Sequence, residues 1–141
     1  MKQSICAAAG ALGGGIAALF GGWDAAAVTL LIFMAVDYVT GLVVAGVFHA
    51  SAKSEGGALQ SRAGFQGLCR KGMIVLFVLI AARLDMALDT SYIRDGVIIG
   101  FAANELISIV ENAGLMGVPL PPAVTSAVDM LTNRSGGDGH A

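Results

Sequence analysis

The residues of this chain that could do chemistry are charged side chains set in apolar surroundings. Asp37, Arg83, Asp85 and Glu105 stand within or at the ends of long uncharged runs. A carboxylate near the middle of a bilayer costs about 2.5–3.5 kcal/mol on insertion scales, so it must face a partner, face a water-filled space, or take up a proton. Tyr38 and Thr40 add hydrogen-bonding groups beside Asp37, and Gly41 leaves room for close approach. A second polar group lies in Phe101–Pro122, FAANELISIVENAGLMGVPLPP. On a helix, Asn104, Ser108 and Glu111 share one face, as do Glu105, Ser108 and Asn112, while Leu106, Ile107, Ile109 and Val110 lie opposite. No nucleophile stands with a base and an orienting acid, no glycine loop follows a strand, and no metal-ligand spacing occurs. The expectation is therefore no enzyme, no cofactor and no metal. Intramembrane charge leaves three readings open: an oligomeric pore, a small proton- or cation-coupled transporter, or a structural membrane subunit.

The elements that must hold these groups follow from composition. Of 141 residues 56% are hydrophobic and 13% charged, which is too apolar for a soluble globule and points to an all-α polytopic membrane protein. The net charge of −2 and the lack of a long basic run exclude the phosphate-neutralising chemistry of a nucleic-acid binder. Cys6 and Cys69 read as small apolar thiols, and His49 and His140 have no second ligand nearby.

Four spans are expected, at about 5–22, 25–47, 73–88 and 92–112. The first reads as a membrane helix rather than a signal peptide, because another apolar run begins directly after it. Its small-residue row, Gly10, Gly14, Ala18 and Gly22, suits close helix packing, either within the chain or with another copy. Trp23 and Asp24 make a short turn. The loop 49–72 carries Lys53, Arg62, Arg70 and Lys71 against Glu55, which places it in the cytoplasm, with Arg70 and Lys71 at anionic head groups. Arg83 can snorkel outward, whereas Asp85 needs a partner outside its own helix. The last span, about 31 Å long if helical throughout, crosses or lies along the interface. Crossing returns the C-terminus to the side of the N-terminus. Pro119, Pro121 and Pro122 end that helix, and the tail 123–141 holds one short helix before a disordered SGGDGHA.

Three blocks of this sequence resemble the toxin-secretion and phage-lysis holin family. They are Asp37-Tyr38-Val39-Thr40-Gly41; Ser61, Gly64, Gly67-Leu68 and Arg70-Lys71 leading to Asp85; and Asn104-Glu105, Ser108-Ile109, Glu111-Asn112, Gly117, Pro119 and Pro121. The resemblance implies a multi-pass protein of the bacterial cytoplasmic membrane. Such a protein would assemble with copies of itself in the lipid bilayer into lesions that release an endolysin or other protein cargo. Asp37 and Glu105 would be the polar residues most needed for assembly or opening. An antiholin or accessory subunit is the related alternative.

Overall fold

The computed structural model describes residues 1–51, 53 and 55–137. These form α1 (Lys2–Leu19), α2 (Ala25–Gly46), a short 3-10 turn at Glu55–Gly57, α3 (Ser61–Leu88), α4 (Ile93–Leu115) and α5 (Pro122–Gly137). No strand occurs among the described residues. The fold is all-helical, with five helices where four spans and a short tail helix were expected.

Each boundary has a local cause. Asp24 caps α2 by accepting the Ala27 N–H at 2.9 Å. Asp89 ends α3 in the left-handed region, φ 53°, while Thr90 N–H returns to the Asp85 carbonyl. Gly117, at φ 79°, lets Val118 N–H reach the Ala113 carbonyl and close α4. Pro122 then opens α5, a position where its missing N–H costs nothing. Two boundaries differ most from expectation. α3 starts at Ser61 rather than near Met73, so the second half of the expected basic loop is helix. α5 runs on through Ser135–Gly137, with Arg134 in a last turn whose carbonyls favour a cation; residues 138–141, including His140, lie outside the described residues.

α4 packs most extensively on α2 and next on α3, whereas α1 touches little and buries no residue. Ala27, Leu30, Met34, Val78 and Ile98 form the apolar core between α2, α3 and α4, and Ile98 is only 1% exposed. On α2, Leu30, Asp37 and Val44 recur every seventh residue, as do Val78 and Asp85 on α3, and Ile98, Glu105 and Asn112 on α4. This is the seam spacing of helices that cross at a shallow angle.

Beside this apolar core the bundle buries charged groups and turns large apolar side chains outward. Its buried residues include Asp37, Asp85, Arg94, Glu105 and Asn112, while Leu31, Ile32, Val39, Leu76, Phe77, Ile80 and Ile99 point outward. Among the described residues α2 is the helix long and apolar enough to cross a membrane, with a mean hydropathy of 2.1.

Gly22 does not serve the helix-packing row expected for it. It sits beyond the end of α1 at φ 97°, where its N–H reaches the Ala17 carbonyl at 2.7 Å. Gly10 and Gly14 lie within α1 and face open space within the protomer. Gly22→Ala is therefore expected to destabilise the fold by about 1 kcal/mol, because alanine resists this conformation. Gly14→Ala should stabilise α1 by up to about 1 kcal/mol through helix propensity. Thermal unfolding of both variants in the same detergent reads the difference; equal shifts in one direction would rule out these separate roles.

Candidate functional site

Two polar centres sit at different levels of the bundle, with the apolar core between them. The first joins α2, α3 and α4. Lys71 Nζ donates to Asp37 Oδ2 and to Glu105 Oε2, both at 2.6 Å. Asp37 and Glu105 are 5% and 4% exposed, and the Lys71 side chain 13%. Asn112 Nδ2 donates to Asp37 Oδ1 at 3.2 Å, to the Asp37 carbonyl at 3.3 Å and to Thr40 Oγ1 at 2.9 Å. The Thr40 hydroxyl in turn donates to the Val36 carbonyl at 2.8 Å, one helical turn back. Ser108 faces Asp37, and the two carboxyl groups face each other. A Cβ on Gly41 would lie 3.9 Å from Asn112 Nδ2, an ordinary contact, so the approach of Asn112 does not depend on the glycine expected to make room for it. A cavity of about 400 Å³ opens beside this centre.

The second centre ties the start of α4 to the turn before α2. Asp85 of α3 accepts Thr90 Oγ1 at 2.6 Å, Ile93 N–H at 3.1 Å and Arg94 N–H at 2.9 Å, so it caps a helix other than its own. Arg94 donates through Nε to the Phe20 carbonyl at 2.6 Å, through Nη2 to the Gly22 carbonyl at 2.8 Å and through Nη1 to Asp24 Oδ2 at 2.8 Å. One planar guanidinium thus closes the C-terminal end of α1 and holds the cap residue of α2.

The expected polar stripe on α4 divides. Glu105 and Asn112 point inward, Ser108 is half-buried, and Asn104 and Glu111 are exposed. Arg83 is exposed, with Nη1 3.1 Å from the Met86 sulfur, and its neighbour Asp85 turns inward to α4. Lys53, Arg62 and Arg70 are exposed, as are Cys6 and Cys69. Lys71 is not at the surface expected for it. Its ammonium is drawn inward because extending α3 back to Ser61 puts Lys71 seven residues before Val78 and fourteen before Asp85, on the inward seam. Among the described residues no buried side-chain nitrogen or oxygen is without a hydrogen-bond partner. Arg94 was not among the expected site residues; its position four residues before Ile98 was the signal that it faces inward. No cluster of three metal-ligating side chains occurs among the described residues.

An apolar-surfaced helical bundle with a hydrogen-bonded charged centre defines a class, that of small helical proteins whose exterior suits lipid. The chain belongs to the bacteriophage holin family, which it matches over residues 14–133. Among its relatives, an uncharacterized protein of Halalkalibacterium halodurans is 38% identical over 137 residues, covering 93% of this chain and 96% of the relative. An uncharacterized 14.9 kDa protein of Clostridium perfringens is 36% identical over 118 residues, covering 82% and 83%. A probable holin of Bacillus phage phi105 is 27% identical over 103 residues, covering 72% and 70%. No solved structure matches the chain significantly.

The Arg94 guanidinium beside Asp24, followed by the Ala27 N–H, holds the Asp24 carboxyl below its usual range. A depressed carboxylate contributes stability that is present above its unfolded value of about 3.9 and is lost as pH falls through the lower folded value. Arg94→Met should move the Asp24 midpoint up toward about 3.9 in a carbon-13 carboxyl titration. It should also cost about 2–3 kcal/mol through the lost charged hydrogen bonds. An unmoved Asp24 midpoint would show that the guanidinium is not what holds it down.

Proposed function

We propose that this protein is a holin, a membrane protein that accumulates as closed protomers and then assembles with its own copies into lesions through which an endolysin or other protein cargo leaves the cell. The observation that carries the reading is the Asp37–Lys71–Glu105 centre inside an apolar-surfaced bundle, in a chain of the holin family. In this reading α1 to α4 cross the cytoplasmic membrane. The exposed cations Lys53, Arg62 and Arg70 lie on the cytoplasmic side, as do both termini.

The physics of the closed form supports this sequence of events. A protomer whose polar groups satisfy one another carries no large penalty in lipid and can accumulate. Lining a wet lesion with Asp37, Glu105 and Asn112 requires α2, α3 and α4 to separate there, which breaks the Lys71 bridge. The bridge is then the barrier that delays opening, and the chain acts through packing and charge rather than as an enzyme. The cavity beside Asp37 also favours a second reading, a small cation-coupled transporter, in which the same carboxylates would load an ion.

Inducible expression in a bacterial host, followed with a membrane-potential dye, separates these readings. Abrupt depolarisation is expected, with lysis only when an endolysin lacking its own export signal is co-expressed. Growth with an intact potential would overturn the holin reading in favour of transport. Lys71→Met at equal membrane abundance should bring depolarisation forward, because two carboxylates then face each other without their shared cation. An unchanged onset would remove the bridge as the timing barrier.

A further inference from the structure

The bridge holds two carboxyl groups and one ammonium, and this count does not balance. Asp37 Oδ2 and Glu105 Oε2 each lie 2.6 Å from the same Nζ, which places those two oxygens within about 5 Å of each other. Fully ionised, the centre would hold one uncompensated negative charge among groups that are nearly completely buried. Like carboxylates this close do not both stay ionised in a poorly solvated site. The other charged or titratable groups on the cavity wall do not sit in the centre. Lys53, Arg70 of α3 and Glu111 of α4 are exposed, and Tyr38 of α2 directs its hydroxyl to the Gly64 carbonyl at 3.4 Å.

We propose that the Asp37–Glu105 pair is a binding site for one proton, carried on Glu105 and directed toward Asp37, so that the closed protomer holds a neutral centre of one carboxylic acid, one carboxylate and one ammonium. The donors decide which group carries it. Asp37 accepts from Lys71 and Asn112 and has Ser108 beside it, so its negative charge is well supported. Glu105 shares the Lys71 ammonium and otherwise faces Asp37, an acceptor, and a proton turns that opposition into a hydrogen bond. The cavity beside the pair gives water, and with it protons, a route to the site. Losing the proton leaves a net negative centre, while gaining a second leaves Lys71 without a carboxylate. The bridge is therefore strongest when one proton is bound. This inference rests on the lipid environment assumed in the proposed function, because a poorly solvated surround is what forbids the second ionisation.

Infrared spectroscopy of the full chain in a detergent without ester groups tests it, using protein labelled with carbon-13 at either the aspartate or the glutamate side-chain carboxyls. One protonated carboxyl band per protomer is expected at neutral pH, shifted by the glutamate label and unmoved by the aspartate label. The band should vanish in Glu105→Gln, which keeps the bridge by replacing the acid with a neutral amide, and helix content by circular dichroism should be unchanged. Asp37→Asn should also remove the band, since Glu105 then ionises against Lys71 alone. A wild-type protein with no protonated carboxyl at neutral pH would overturn the proposal, as would a band that survives in both variants. Either outcome is independent of whether the protein makes lesions, so failure of the proton site and failure of the holin reading are told apart.

Discussion

The fold depends on a single ammonium shared between helices. Lys71 reaches from α3 to a carboxylate on α2 and to another on α4, so three helices meet at one nitrogen. Lipid offers little hydrophobic reward for bringing helices together, and in its place packing and polar contacts must specify the arrangement. Here the polar contact also fixes register. Sliding α4 along α2 by one turn would take Glu105 from Lys71 and Asn112 from Asp37 and Thr40 together, leaving buried charge without partners.

The far end of the bundle repeats that logic with different chemistry. Asp37 lies thirteen residues beyond Asp24, the cap of α2, about 20 Å along a helix. At that distance the Asp85 cap and the Arg94 guanidinium form a separate network, and the apolar core fills the space between. The two networks treat the helices differently. Lys71 joins side chains of α2, α3 and α4 directly, whereas Arg94 grips carbonyls of the turn after α1. α1 is consequently anchored at its C-terminal end and buries nothing along its length, which makes it the element least bound to the rest.

Much of the fold was legible because helix and membrane chemistry leave strong marks. The charged Asp37, the polar run Asn104–Asn112 and the proline cluster pointed to helices with a polar interior, and the three sequence blocks pointed to the holin family that the chain belongs to. What escaped is register between helices. Lys71 was assigned to the surface because the apolar run begins at Met73, and hydropathy marks where a helix becomes apolar, not where it starts. Asp85 was recognised as needing a partner, but the partner is a backbone terminus, to which no residue type gives a signal. Gly22 fell on a small-residue spacing by coincidence with a turn that demands a left-handed residue. Seventh-residue spacing across Lys71, Val78 and Asp85 carried the missing information, and it becomes readable only once α3 is extended back into the basic loop.

Self-sufficiency of the protomer changes what assembly would have to accomplish in the proposed reading. If the polar groups were unpaired, copies would associate as soon as they met, and accumulation in a harmless form would be difficult to explain. With every described buried side-chain nitrogen and oxygen partnered, first contacts between copies in the proposed reading would use the largely apolar exterior or the loosely held α1. In that reading exposure of the charged centre would come later, because it requires helices to part and water to replace Lys71, Asn112 and Thr40 as partners. Water solvates both carboxylates independently, so a hydrated centre no longer needs either the shared ammonium or a retained proton. In the proposed holin reading, storage followed by opening would follow from placing charge inside and apolar surface outside.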